Sequence, residues 1–342
     1  MNARAAAILI MLLAVLGGGA YLYQKQESSR PAGAAALGQR ILPGLKAADV
    51  AAIRIVQPGA TLTLQRADTG WTLAERGGFP ADVAKVRQFV LQAIELKVGE
   101  SEPIGDKDRA RLHLDAPGKQ AGAGGTLIEF MGADGKPLAR LVAGNKYFRR
   151  EVDHPDKAPA DGRFVQRPGE PGTVYIVSDP LVQASTKSAD WIDRTAFKVE
   201  KVKSLALRFP DGSGWRIERS GDNADWRLAG AKAGEKLDVP KANAASYSLS
   251  LLELADVAPT GAQNTGLDQP ILVDATTLAG ASYAIKVGRL EGENYYVSFT
   301  SGGVDAREKL LASHVLLIPK AKLEDTLKPR ADLLEKKQDT KK

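Results

Sequence analysis

The residues best suited to bind a metal ion lie close together in one stretch of the chain. Carboxylates and an imidazole follow one another there, at Glu151, Asp153, His154, Asp156 and Asp161. Hard oxygen ligands with one imidazole can hold a divalent cation. The spacing is not that of a calcium-binding loop, however, and the proline and lysine residues in this stretch are typical of a solvated loop. The sequence therefore favours a solvated loop over a metal site.

Sequence motifs elsewhere exclude several classes of active site. The other two histidines, His113 and His314, stand far apart, no H-E-x-x-H pair occurs, and we expect both at the surface or at a cap. The absence of cysteine excludes disulfides, thiolate catalysis and cysteine-ligated metals. Neither G-x-S-x-G nor G-x-x-x-x-G-K-[ST] is present. We predict no catalytic residue, no cofactor-binding residue, no metal ligand and no nucleotide partner.

The distribution of charge argues against nucleic-acid binding. The formal net charge is +6, but lysine and arginine alternate with acidic residues along most of the chain. Only residues 336–342 form a compact basic run. A nucleic-acid surface combines a basic stripe with interleaved aromatic residues, and the sequence has no such stripe. We therefore expect no nucleic-acid partner.

Residues 5–23 form an apolar stretch without a charge, directly after Arg4. At about 1.5 Å per residue, a helix of this length matches the hydrocarbon core of a bilayer. Tyr21 and Tyr23 stand at its far end, where tyrosine favours the interface, and Arg4 favours a cytoplasmic N-terminus. We predict a membrane anchor at residues 1–24 in the bacterial inner membrane, with the bulk of the chain periplasmic. A cleaved signal peptide is the alternative.

After a polar linker at residues 25–46, one order of apolar patterns occurs twice. Each copy has alternating apolar residues typical of strands, then a strand led by tryptophan, then a proline and a helical pattern. The predicted fold class is α+β, with two homologous repeats of antiparallel sheet plus helix at 47–186 and 201–328. A linker at 187–200 joins them, and a disordered basic tail is expected at 329–342.

The apolar patterns give bounds for the predicted elements. Strands in the first copy are expected at residues 50–55, 61–65, 70–73, 126–131, 138–143, 163–166 and 173–177. Strands in the second copy are expected at 202–207, 214–218, 225–228, 271–274, 283–287, 295–298 and 314–318. The side chains expected to face the sheet are Val83, Val86, Val90 and Ile94 in the first helix, with Phe89 and Leu96 broadening this face, and Tyr247, Leu251 and Leu254 in the second. Short helices are expected near 180–186 and 321–327.

Trp71 and Trp226 occupy equivalent positions in the two tryptophan-led strands. We expect each indole to pack over its sheet and helix, because large aromatic side chains bury much apolar surface. An exposed platform for a ligand such as a sugar ring is the alternative.

These features resemble a family of bacterial domains of unknown function, numbered four-three-four-zero. The resemblance covers nearly the whole chain after the anchor. It rests on the tryptophan-led strands and on Leu-Pro-Gly-Leu at 42–45, Asp-Trp-Ile-Asp-Arg at 190–194 and Gly-Leu-Asp-x-Pro at 266–270. Members of the family are typically anchored by one N-terminal helix and are often encoded beside an auxiliary component of gliding-motility-type ABC transport systems. The resemblance thus implies an envelope complex as partner and implies no catalytic residue.

One residue departs from the repeated pattern. His113 stands where the second copy has Gly266. Glycine is favoured wherever the backbone needs a positive φ. If Gly266 has a positive φ, we expect the first copy to turn differently at His113.

Three functions follow from these observations. The leading hypothesis is a non-enzymatic, membrane-anchored interaction module that serves an ABC-type transport or surface-assembly complex. The first alternative is a protein that binds a cell-wall or polysaccharide fragment through an exposed Trp71 or Trp226. The second alternative is a divergent envelope hydrolase that uses the loop with Asp153 and His154.

Overall fold

The computed structural model describes residues 37–118, 124–155, 157–179, 181–302 and 305–335. The strands are β1 (Ala52–Gln57), β2 (Ala60–Ala67), β3 (Gly70–Leu73), β4 (Phe79–Ala81), β5 (Val98–Pro103), β6 (Thr126–Met131), β7 (Pro137–Tyr147), β8 (Gly162–Gln166), β9 (Thr173–Val177), β10 (Val202–Arg208), β11 (Gly214–Glu218), β12 (Arg227–Leu228), β13 (Asp256–Val257), β14 (Ile271–Thr277), β15 (Ser282–Glu291), β16 (Asn294–Ser301) and β17 (Leu316–Pro319). The helices are α1 (Val83–Glu95), α2 (Asp106–Arg111), α3 (Val239–Tyr247), α4 (Ala306–Ala312) and α5 (Lys320–Leu323).

The described residues pack into two compact units. Unit 1 holds the described residues up to Arg66 together with Val83–Thr186, and unit 2 holds Ala67–Asp82 together with the described residues from Lys187 onward. The sheet strands that belong to unit 1 follow the order β2-β1-β6-β7-β8-β9-β5, and the sheet of unit 2 has the order β12-β11-β10-β14-β15-β16-β17-β13. Neighbouring strands in both are antiparallel. The α+β fold class is confirmed.

Alternating apolar residues account for the strands that the sequence predicts. In β1, Ile53 and Ile55 are buried while Arg54 between them is exposed, as the period of two in a half-buried strand requires. The predicted bounds of β6, β9 and β11 are correct to the residue. Five strands and helices were not predicted from the sequence, namely β4, β5, β13, α2 and α4. These are short or, like β5, mostly polar at the edge of a sheet.

Helix α1 packs on the sheet of unit 1 through most of the predicted face. Its buried residues are Val86, Phe89, Val90 and Ala93. The expectation for Val83 is wrong, because this residue begins the helix and is 41% exposed. Ile94 is half-buried. Phe89 stacks on Phe130 of β6 with ring centroids 6.0 Å apart, so this aromatic pair fixes the inward face.

The short segment of residues 67–82 packs with unit 2 although it lies within the predicted first repeat. It contains the hairpin of β3 and β4, in which Trp71 pairs with Ala81. The backbone N–H of Asp82 donates to the carbonyl of Trp191 at 2.6 Å, and the N–H of Thr260 donates to the carbonyl of Glu75 at 3.4 Å. The hairpin is therefore joined to distant parts of the chain by backbone hydrogen bonds.

Side chains of the hairpin complete the core and the polar network of unit 2. Phe79 is fully buried and meets the ring of His314 edge-on, with centroids 5.2 Å apart. The Cζ atom of Arg307 lies 5.6 Å from the centroid of the same ring, a cation–π contact. Arg76 forms a half-buried ion pair with Asp256 at 3.3 Å. Unit 2 is thus built from two stretches that are far apart in sequence.

The expectation that His113 makes a different turn is wrong. His113 has a φ of 56°, and Gly266 at the corresponding position has a φ of 69°. Both turns also make the same backbone contact: Asn145 donates to the carbonyl of Leu112 at 2.9 Å, and Arg289 donates to that of Thr265 at 2.7 Å. A histidine therefore adopts a left-handed conformation that costs a non-glycine residue about 1–2 kcal/mol.

We expect His113→Gly to raise the free energy of unfolding by roughly 0.5 kcal/mol. The left-handed strain of about 1–2 kcal/mol disappears, while the greater freedom of glycine in the unfolded chain removes about 0.4–1 kcal/mol. His113 is exposed, so little packing is lost. Urea denaturation of both proteins measures the difference. A lower midpoint for the glycine variant would show that the histidine side chain stabilises the turn.

The prediction of a disordered tail over residues 329–342 is wrong for its first half. Arg330–Leu333 form a 3-10 turn, and Leu333 is fully buried. Leu334 bridges to Leu237, and Arg330 forms an ion pair with Glu235 at 2.6 Å. Residues 336–342 lie outside the described part of the chain. The sequence did not indicate this contact, because Leu333 and Leu334 are the only large apolar residues in a stretch that is otherwise mostly charged and polar.

The ion pair of Glu235 gives the C-terminal contact a predictable pH dependence. Hydrogen bonds from Arg330 and from the backbone of Lys232 lower the pKa of Glu235 from 4.5 to about 2. Because this pKa is depressed, the stabilisation is complete above pH 4.5 and decreases as the pH falls toward about 2. We expect Arg330→Ala to move the pKa of Glu235 most of the way back to 4.5, measured by NMR titration of the carboxyl carbon. An unchanged pKa would place Arg330 away from Glu235 in solution.

The short helix expected near residues 180–186 is a turn in the described residues 181–186. Leu181 has a φ of 50°, which a helix does not allow, and its N–H donates to the carboxylate of Asp179 at 2.7 Å. The helix expected near 321–327 is α5, which begins one residue earlier at Lys320 and already ends at Leu323.

The predicted anchor at residues 1–24 lies outside the described residues. In the part of the chain from 37 to 335 that the structure describes, no helix is long and apolar enough to cross a membrane.

Candidate functional site

The hydrogen bonds of the acidic loop with Asp153 and His154 are local and stabilise its turns. The carbonyl of His154 accepts the N–H groups of Lys157 and Ala158, at 3.1 and 2.9 Å. The carboxylate of Asp161 accepts the N–H of Arg149 at 3.0 Å. Asp156 is outside the described residues. Among the residues that are described, no group of three His, Asp or Glu side chains is placed to hold a metal ion.

The other two histidines have local structural roles. His113 is exposed at the turn described above. The Nδ1 atom of His314 lies 2.9 Å from the carbonyl oxygen of Leu310 in α4, and its ring packs on Phe79. This places His314 at the C-terminal end of a helix, as a capping residue.

The tryptophans are mostly buried. Trp191, Trp215 and Trp226 are each at most 4% exposed, and Trp71 is half-buried. The prediction that Trp226 packs in the core is confirmed. Its ring carries the guanidinium of Arg219 at 4.8 Å from the centroid, so it presents no open face to a sugar.

A groove of about 670 Å³ lies in unit 2. One wall is residues 198–202, which lead into β10. The other is the C-terminal part of α3 with the 3-10 turn Ser248–Ser250 that follows it. The walls bring together Lys198, Glu200, Lys201, Arg219, Asp222, Asn243, Tyr247 and Leu251. We call this recess the α3 groove.

Two polar side chains that line the α3 groove, Arg219 and Asn243, are held by contacts within the protein. Arg219 donates through Nε to the carbonyl of Val202 at 2.6 Å and forms an ion pair with Asp222 at 3.0 Å. Trp226 donates through its indole N–H to Oδ1 of Asn243 at 2.9 Å. Because its oxygen accepts this bond, the amide of Asn243 has one orientation, with its N–H groups directed elsewhere. Arg219 and Asn243 are thus each held in place by a hydrogen bond.

Two apolar side chains of the wall project into solvent, contrary to the prediction for the second helix. Tyr247 is 64% exposed and Leu251 is 48% exposed, whereas Leu254 is buried as expected. The helix ends at Tyr247, and the next residues form a 3-10 turn with three residues per turn. The buried residues Ala242, Ala245, Ser246 and Leu249 follow one another at helical spacing, so Tyr247 and Leu251 lie on the opposite, exposed face.

Serine residues cause this early end of the helix. Ser248 donates through Oγ to the carbonyl of Ala245 at 3.2 Å, and Ser250 donates to that of Tyr247 at 2.7 Å. Such local side-chain bonds compete with the helical backbone pattern. The helical spacing of Ala242, Ala245, Ser246 and Leu249 is the signal by which the sequence could have indicated an exposed Tyr247 and Leu251.

Lysines stand on the opposite wall. Lys198 and Lys201 are exposed, and within the described residues neither ammonium group forms a hydrogen bond or an ion pair, although the backbone carbonyl of Lys201 accepts the N–H of Leu278 at 2.8 Å. Lys201 has a φ of 49°, so the chain bends sharply where it enters β10. Sequence analysis did not identify these residues, since exposed lysines are common and only the fold places them opposite Tyr247 and Leu251.

A second recess of about 360 Å³ continues the α3 groove. It shares Lys198, Ser250 and Leu251 with the first and extends to the ion pair of Glu253 and Lys322, whose charged atoms are 3.4 Å apart. Among the described residues that line the two recesses there is no histidine, so we identify no nucleophile with an adjacent imidazole base. The arrangement is suited to binding by apolar contact and by charge.

Comparison with known proteins adds one finding. A family model described as a domain of unknown function (DUF4340) matches residues 71–270, more than half of the chain. The chain belongs to this family. The DUF4340 match includes Asn243, Tyr247 and Leu251, so α3 and its groove lie within the region that the family model covers. No curated protein and no solved structure matches the chain.

Proposed function

We propose that this DUF4340 protein is a membrane-anchored, non-enzymatic interaction module of the bacterial envelope that docks a protein partner in the α3 groove. The leading partner class is an ABC-type transport or surface-assembly complex, as the family resemblance implies. The observation that carries the proposal is the exposure of Tyr247 and Leu251 in a groove that they share with Arg219 and Asn243.

Exposed apolar side chains at a recess favour a binding role. Isolated exposed apolar residues are common, but a tyrosine and a leucine that share one groove provide the anchor residues of a protein interface. Tyrosine is enriched in such interfaces because it offers a large area with few rotatable bonds. The fixed amide of Asn243 adds a polar contact that can set the direction of the bound chain.

The proposed location rests on the sequence. The apolar residues 5–23 are long enough to cross a bilayer, and the domain that follows is long enough to be translocated whatever its flanking charges. We propose an inner-membrane anchor with a cytoplasmic N-terminus and a periplasmic chain. Carbonate extraction of membranes tests this: the full-length protein should remain in the pellet. Release into the supernatant would favour a cleaved signal peptide.

We also infer that the two units descend from one duplicated ancestor. The strands follow the same order, β2-β1-β6-β7-β8-β9-β5 in unit 1 and β11-β10-β14-β15-β16-β17-β13 in unit 2. The matching left-handed turns at His113 and Gly266 support the same inference, because such turns are not required by the strand order itself.

The partner is tested by crosslinking in intact cells. Full-length tagged protein is crosslinked, purified and analysed by mass spectrometry, beside the double variant Tyr247→Ser/Leu251→Ser. We expect membrane subunits of a transport complex with the wild-type protein and their loss with the double variant. The matched control is Leu290→Ser, which changes another exposed leucine of unit 2. Recovery of no specific partner would contradict the proposed function.

A further inference from the structure

The two walls of the α3 groove differ in chemistry. Tyr247 and Leu251 form an apolar wall, and Lys198 and Lys201 stand on the other. The remaining charges of the lining largely cancel, because Arg219 is paired with Asp222 and only Glu200 opposes the two lysines. The groove therefore carries a net positive charge next to an exposed apolar surface.

From this juxtaposition we propose that the groove receives a short acidic and apolar peptide segment of the partner protein. Its carboxylates pair with Lys198 and Lys201, and its apolar side chains pack on Tyr247 and Leu251. This inference rests on the proposed function and specifies the chemistry of the partner at the same site.

The shape of the groove favours a peptide over a compact molecule. Two recesses of about 670 and 360 Å³ join at Lys198, Ser250 and Leu251. A continuous open groove of this kind suits a chain that lies along it, with side chains placed at intervals. The N–H groups of Asn243, whose Oδ1 is held by Trp226, are suitable donors for a main-chain carbonyl of the segment.

Charge decides between acidic and basic segments. A basic segment would meet two lysines, and like charges across an interface lower affinity. An acidic segment can form ion pairs with both lysines. Their attraction acts over a Debye length of about 8 Å at physiological salt. Binding is therefore expected to weaken as ionic strength rises.

The inference is tested by selecting peptides on the full-length protein in detergent. A display library of short random peptides is selected on the wild-type protein, with removal of those that also bind Lys198→Glu/Lys201→Glu. We expect enrichment of aspartate or glutamate beside leucine, phenylalanine or tyrosine. Fluorescence anisotropy of enriched peptides should show affinity about tenfold lower or worse for the double variant.

Matched variants locate the binding site. Lys286→Glu reverses an exposed lysine on β15, outside the groove, and Leu290→Ala truncates an exposed leucine there. Both should bind the enriched peptides like the wild type, while Tyr247→Ala and Leu251→Ala bind more weakly. Circular dichroism confirms that each variant is folded.

The outcomes separate this inference from the proposed function. Enriched peptides without acidic residues, equal binding by the lysine double variant, or no enrichment at all would each overturn the acidic segment. If cellular crosslinking still recovers a partner in a way that depends on Tyr247 and Leu251, the docking function stands and only the proposed chemistry of the segment fails.

Discussion

Phe79→Ala is expected to lower the free energy of unfolding by about 3–5 kcal/mol, with the loss confined to unit 2. Phe79 is fully buried, and its ring contacts His314 and Arg307. Alanine leaves a cavity there and removes both ring contacts. Hydrogen exchange should show faster exchange in β13 and β17, whereas β6 to β9 keep their protection.

Phe89→Ala is the matched control for this substitution. Phe89 is also fully buried, but it stacks on Phe130 in unit 1. We expect a loss of similar size, with faster exchange in β1 and β6 instead. If Phe79→Ala weakens β6 to β9 as much as β17, the assignment of residues 67–82 to unit 2 is wrong.

Gly288→Ala is expected to lower the free energy of unfolding by about 3 kcal/mol. A Cβ atom at this position would lie 2.2 Å from the carbonyl oxygen of Thr265, a backbone atom that cannot move without breaking the turn. Gly144 has the same role in unit 1, where a Cβ would lie 2.3 Å from the carbonyl oxygen of Leu112. Urea denaturation measures both alanine variants.

Gly292→Ala separates the steric effect from the effect of glycine conformation. Gly292 has a φ of 58°, but a Cβ there meets no atom within 4 Å. Its substitution should therefore cost only about 1–2 kcal/mol, from the left-handed backbone. Equal losses at Gly288 and Gly292 would contradict a steric cause at Gly288.

Local patterns in the sequence predict the strands and helices that bury one face. The bounds of β6, β9 and β11 follow from their apolar alternation, and the family follows from spaced turn and tryptophan residues. The polar strand β5 carries no such alternation, since its residues form a sheet edge. Element type could thus be predicted wherever one face is buried.

The α3 groove depends on causes that a periodic pattern does not contain. The apolar pattern assigned Tyr247 to the buried face, but the face that packs inward consists of Ala242, Ala245, Ser246 and Leu249, and small residues such as alanine and serine carry little apolar signal. The opposing lysines come from a different segment and become neighbours of the groove only through the fold. The candidate site could therefore not be predicted from the sequence, although most strands of the sheet that supports the site could.

The discontinuity of unit 2 also fixes an order of assembly. Arg76 and its partner Asp256 are separated by 180 residues, and the strands of the sheet continue to Pro319. Chains are synthesised from the N-terminus, so the hairpin with Phe79 exists long before the residues that cover it. We expect unit 2 to form only after nearly the whole chain has been made. Truncated products that end before β17 should therefore be degraded rather than accumulate as stable proteins.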